Sequence, residues 1–244
     1  MLKKLYEKSK LWFAVAWIIV YCVAMSAGDA LSAALGLEKS VTLAVGLLLC
    51  LVLFGFLKWH GLLQTYGFCR PQASCREALY YIPLLFLLSA NLWLGVTLHY
   101  GALETALYIL SMLCVGFLEE VIFRGLLLKA MWEDSPKWAV IVSSITFGIG
   151  HILNLVNGSG AELIPNLLQV VYATAAGFLF VMLYLRTKSL LPCIVTHGVF
   201  NALSVFAVEP PSLTVRLITC LLLTVLSGGY AAYLAYTMKR PGSK

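Results

Sequence analysis

What this 244-residue chain has least of is charge: 11% of its residues are Asp, Glu, Lys or Arg, 61% are hydrophobic, and mean hydropathy is +0.91. Soluble domains carry about 25% charged residues, so the composition excludes one and indicates a polytopic membrane protein. The apolar runs do not alternate with polar residues, which excludes barrel strands. A cleavable signal peptide is not expected either. The basic start, Lys3, Lys4, Lys8 and Lys10, runs into an apolar segment too long for such a peptide and without a small-residue cleavage site. The seven cysteines (22, 50, 69, 75, 114, 193 and 220) show no zinc or disulfide spacing and read as small hydrophobes. There is no His-Glu-x-x-His, no Gly-x-Ser-x-Gly and no internal repeat. The +6 net charge is a signal of membrane topology and implies no nucleic-acid partner.

Eight apolar runs are long enough to span about 30 Å of hydrocarbon: Leu11–Ala27, Val41–Leu57, Ala78–Leu98, Leu103–Leu128, Trp138–Leu155, Leu163–Leu185, Leu190–Val208 and Leu213–Met238. Turn chemistry separates them at Gly28-Asp29, Gly67 to Pro71, Glu133 to Pro136, Asn157 to Gly160 and Pro210-Pro211. The expected fold is all-α, one membrane helical bundle over residues 1–244. Eight crossings put both termini on one side, together with fourteen of the seventeen basic residues; only Lys39 and Arg216 fall opposite, and Arg124 is intramembrane. The positive-inside rule makes that basic side cytoplasmic. The stretch from Lys58 to Arg76 reads as interfacial.

Within the fourth run lies Gly116-Phe117-Leu118-Glu119-Glu120-Val121-Ile122-Phe123-Arg124-Gly125. Charged residues near the centre of a spanning helix cost roughly 2.5–3.5 kcal/mol each even on the lower scales. Glu120 and Arg124, four apart, share a helix face and would neutralise each other. Glu119 points elsewhere and is left for another task. A purely structural ion pair would explain Glu120 and Arg124 but not Glu119.

Of four histidines, His60 and His99 sit at span ends and suit the membrane interface. His151 and His197 lie inside apolar runs, with Asn154 three residues after the first and Asn201 four after the second. At about 1.5 Å per residue, Glu119 lies about 15 Å from Lys129, His151 about 20 Å from Trp138 and His197 about 10 Å from Leu190. The expectation is one water-filled cavity in the cytoplasmic half of the bilayer. Gly148, Gly150 and Gly198 would let its helices approach closely.

Glu-Glu-x-x-x-Arg, then Phe-x-x-x-His, then His-x-x-x-Asn, on successive helices, resembles the CPBP intramembrane protease family, which includes CAAX-prenyl endopeptidases and bacteriocin-processing and immunity-type membrane proteins. The matching residues are Glu119, Glu120 and Arg124, then Phe147 and His151, then His197 and Asn201. Asn154 resembles an asparagine often found in that family three residues after the first histidine. The motif core spans about residues 103–207, and no motif position departs from the pattern.

The residues suit amide hydrolysis, which needs an activated water, a proton carrier and a stabilised oxyanion. A partly desolvated Glu119, with His151, would activate water; His197 and Asn201 would donate to the oxyanion. The resemblance implies the same division, with Glu120 and Arg124 supporting the site. Glu119, His151 and His197 would also make a three-ligand zinc site, and the family has been labelled metalloprotease. The favoured reading is metal-free. Substrates would be membrane-associated peptides or proteins, with the lipid bilayer as surroundings. A proton- or ion-coupled carrier is the rival of another class, although it would want broken helices or a repeat. A non-catalytic immunity or scaffold protein of the same fold is the third reading.

Overall fold

A computed structural model describes residues 2–72, 81–157 and 161–238. Cys75, Arg76, Lys239, Arg240, Lys244 and the turn at 158–160 therefore lie outside the described residues. A short helix α1 (Leu2–Lys8) leads, through an N-cap at Ser9, into α2 (Lys10–Leu35), which pairs with α3 (Ser40–Trp59). Next come α4 (Ile82–Leu88), α5 (Ala102–Glu120) and α6 (Leu128–Trp132), the last two joined by a π-helical turn over Val121–Leu127. The remainder is α7 (Pro136–Gly150), α8 (Leu163–Thr187), α9 (Leu191–Leu203) and α10 (Leu213–Met238). Among the described residues there is no strand, only an isolated bridge between Val96 and Ala207. The all-α membrane bundle is as expected.

Six helical segments are long and apolar enough to cross a bilayer; Ile82–Leu92 and Leu191–Phe206 are shorter. The third expected run thus contains a helix of about 16 Å, half the hydrocarbon thickness. Beyond Leu92 the chain turns and becomes extended, docking on the end of α9: Asn91 Nδ2 donates to Phe200 O (2.6 Å) and Thr97 N to Phe206 O (3.0 Å). The first run departs in the other direction. Gly28-Asp29 does not end it, because α2 continues to an αL cap at Gly36. Gly28 instead allows contact with α3, where a Cβ would come within 3.0 Å of Thr42 Cα. Asp29 is held there by Lys39 Nζ (2.7 Å) and Thr42 Oγ1 (2.8 Å). The stretch after Lys58 forms turns docked on the bundle, with Tyr66 buried and Gly67 O accepting from Leu190 N (2.8 Å).

These contacts define two ends of the bundle. At one, Tyr66 OH bonds Tyr6 OH, Lys129 Nζ donates to Thr65 O, and Gln72 N donates to Thr187 O. At the other, Lys39 pairs with Asp29, Glu38 N donates to Glu104 Oε1, and His99 Nε2 bonds Ala207 O. The first end carries Lys3, Lys4, Lys8, Lys10, Lys58, Arg70, Lys129, Lys137, Arg186 and Lys188. The second carries Asp29, Glu38, Glu104, Glu162 and Glu209 against Lys39 and Arg216, and both of those cations are ion-paired. One end is basic and the other acidic.

Glycines set the spacing of the motif helices. A Cβ on Gly116 of α5 would fall 2.5 Å from Gly198 Cα of α9, and one on Gly148 of α7 would fall 2.8 Å from Thr174 Cα of α8. Gly150 has open space, so its expected packing role is not realised. Gly116→Ala should therefore force α5 from α9 and lower stability by about 1–3 kcal/mol, typical of overpacking. Gly150→Ala should leave the detergent melting temperature unchanged. Thermal unfolding of both variants checks the contrast.

Candidate active site

Two adjacent carboxylates at the end of α5 have opposite surroundings. Glu120 and Arg124 are completely enclosed, with side chains 0% exposed, whereas Glu119 is 12% exposed. Arg124 Nη1 donates to Glu120 Oε1 at 3.0 Å, and Nη2 to Gly177 O at 3.3 Å. The guanidinium carbon also lies 4.1 Å from the Phe147 ring centroid and 5.3 Å from that of Phe180. A buried carboxylate left without a cation would be strongly destabilising. Here it has two partners, because His197 Nδ1 lies 2.7 Å from the same Oε1. The widened π turn carries Arg124 and is a backbone feature often found at functional sites.

Hydrogen bonding assigns the ring protons. A carboxylate only accepts, so His197 Nδ1 is the protonated nitrogen facing Glu120. Its Nε2, 3.4 Å from Glu119 Oε2, then bears a proton only in the imidazolium. His197 thus lies between both carboxylates of the acidic pair. With His197 charged, two carboxylates face one guanidinium and one imidazolium, and the cluster is neutral. The ring stacks on Phe180, with centroids 5.3 Å apart.

Glu119 Oε1 accepts a 2.6 Å hydrogen bond from Tyr21 OH on α2. Its Oε2 accepts no hydrogen bond from the described residues. His151 is where α7 gives way to a tight turn; its Nδ1 faces Phe147 O at 3.2 Å, and its own carbonyl accepts from Asn166 Nδ2 at 2.8 Å. Donation from Nδ1 leaves Nε2 as a lone-pair nitrogen. Phe147 packs edge-on between the two histidines, 5.3 Å from His151 and 5.5 Å from His197. Asn154 sits one turn beyond, its Nδ2 donating to Gln169 Oε1 (3.2 Å).

Glu119, His151, Asn154 and Asn201 all line one cavity of about 330 Å³, which continues to Asp29, Lys39 and Asn157 at the acidic end. From the motif residues the cavity thus runs toward the acidic end. Toward the basic end the bundle is shut by fully buried Leu118, Ile122, Leu126, Leu128, Leu183 and Leu190. Counting residues from one end gave depth but not the direction from which water enters. A second, smaller apolar cavity touches His151, His197 and Asn201 from behind, against Phe180, Thr196 and Leu223.

Glu119, His151 and His197 do not form a three-ligand cluster of metal-holding geometry among the described residues. His197 Nδ1 is committed to Glu120 and His151 Nδ1 to a carbonyl. Sequence reasoning missed Tyr21, Gln169, Asn91 and the Asp29–Lys39 pair, all of which line the cavity. Asn91 and Gln169 carried a usable signal, being lone amides in apolar runs; a single tyrosine in the first span carried none.

Removing one partner of this sealed network leaves the other charge buried. Arg124→Ala and Glu120→Ala should each cost about 3–5 kcal/mol. Both should melt well below the wild-type protein in detergent, and a stable, active Arg124→Ala protein would contradict the pairing.

Residues 101–203 match the family model of Rce1-like type II CAAX prenyl endopeptidases. A Bacillus subtilis (strain 168) protein named "Putative membrane peptidase YdiL" is 33% identical over 94 residues, covering 38% of this chain. The match spans 33% of that protein's own length. No solved structure matches the chain. The matched segment holds Glu119, Glu120, Arg124, Phe147, His151, Asn154, His197 and Asn201, and there the resemblance read from the motifs is borne out: residues 101–203 are similar to the Rce1-like CAAX prenyl endopeptidases.

Proposed function

We propose that the chain is an intramembrane endopeptidase that hydrolyses a peptide bond of a membrane-associated protein or peptide, with Glu119 as general base. The observation that carries this reading is the asymmetry of the acidic pair. Glu120 is sealed and doubly neutralised, whereas Glu119 lines a polar cavity with one oxygen fixed by Tyr21 and the other held only by a 3.4 Å approach of His197 Nε2.

In the proposed reaction a water bound between Glu119 and His151 Nε2 gives its proton to Glu119 Oε2. The hydroxide adds to the substrate carbonyl carbon, and the carbonyl π pair moves onto oxygen. Asn201 and the His197 imidazolium, through Nε2–H, stabilise that oxyanion. When the tetrahedral species collapses, the C–N bond breaks and Glu119 returns its proton to the departing amine. Glu120, itself held by Arg124, orients His197 through Nδ1, and neither residue touches substrate. No step requires a metal.

Glu119→Gln keeps the shape of the side chain but cannot accept the proton, so it should abolish cleavage while folding and peptide binding persist. Asn201→Ala loses one donor, and its turnover should fall by roughly 10²–10³. Turnover on metal-stripped protein, with zinc measured by elemental analysis, completes the test. Near-normal cleavage by Glu119→Gln would sink the proposal. Loss of activity on stripping, reversed by zinc alone, would replace it with a metal mechanism.

A further inference from the structure

Among the described residues the polar lining of the cavity leads in one direction, away from the cationic loops. From Glu119 its lining passes Tyr21, Ser26 and Tyr108 to the Asp29–Lys39 pair and Asn157. That end of the bundle is where acids outnumber bases and where both bases are ion-paired. The other end carries ten lysines and arginines among the described residues, against Glu7, Glu133 and Asp134. Short loops with such an excess of Lys and Arg are retained in the cytoplasm. The lysine lining the cavity does not blur this, because Lys39 is held at 2.7 Å by Asp29. Between Glu119 and the basic end stand leucines and Arg124, with no exposure.

We infer that the site is entered from the non-cytoplasmic side, and that its substrate is an extended peptide segment presented there rather than a cytoplasmic tail. This rests on the protease reading for the word substrate, but the direction of entry does not. The lining suits a peptide backbone: Asn91, Asn154, Asn157, Gln169 and Asn201 are amides, able to donate and accept, and the mouth bears no uncompensated charge.

Two native cysteines report the direction of entry without mutation. Cys22 lines the cavity, and Cys69 lines a depression at the basic end beside Lys188. Right-side-out and inverted membrane vesicles holding the full chain are treated with a membrane-impermeant, charged methanethiosulfonate. Modification at each cysteine is read by peptide mass spectrometry and normalised to the rate in detergent. Cys22 should react at least tenfold faster in right-side-out vesicles, and Cys69 at least tenfold faster in inverted ones. Faster modification of Cys22 from the inverted side, or none from either side, overturns the inference. Peptide cleavage in detergent by wild type and by Glu119→Gln is measured in parallel. It has no sidedness, so failure there removes the protease reading and leaves the direction of entry intact.

Discussion

The structure depends on a carboxylate and a guanidinium buried where neither could survive alone. Glu120 and Arg124 have no exposed side-chain surface, and the attraction between them is strengthened by the same low dielectric that makes them costly. Their pairing brings further parts into register. Arg124 Nη2 reaches the Gly177 carbonyl and so ties the π turn to α8. Its guanidinium lies against Phe147 of α7 and Phe180 of α8. Glu120 in turn orients His197 of α9 through Nδ1. Four membrane segments therefore meet on one ion pair. Glycine contacts at Gly116–Gly198 and Gly148–Thr174 bring the backbones close enough for it.

That network also distributes the roles of the two glutamates. Once Arg124 and His197 have claimed Glu120, the neighbouring carboxylate is the one that edges a cavity. Tyr21 then fixes one oxygen of Glu119 and leaves the other directed at His197. Specificity of role comes from surroundings alone, since the two side chains are chemically identical and adjacent. The α-helical spacing places them on different faces, and the π turn begins at the next residue, Val121.

Much of this was legible in the residues. A three-charge cluster in an apolar run is conspicuous because hydrocarbon penalises it, and i,i+4 spacing alone suggested that Glu120 and Arg124 pair. His151 and His197 were visible for the same reason. The second partner of Glu120 was not, because it depends on how α9 docks on α5. Tyr21 lies 98 residues from Glu119, and a tyrosine in a spanning helix carries no penalty that marks it. Gly28-Asp29 imitates a turn but serves helix contact and a salt bridge with Lys39. The third run looked long enough to span because hydropathy does not distinguish a helix from an apolar extended segment packed on a neighbour.

The central claim is that Glu120 holds the site together while Glu119 works in it. The most direct test is to measure melting temperature and single-turnover peptide cleavage together for Glu119→Gln and Glu120→Gln in the same detergent. The account predicts a crossed result: Glu119→Gln melts like wild type and does not cleave, whereas Glu120→Gln melts at a distinctly lower temperature. Equal melting losses in both variants, or a Glu119→Gln protein that still cleaves, would contradict it.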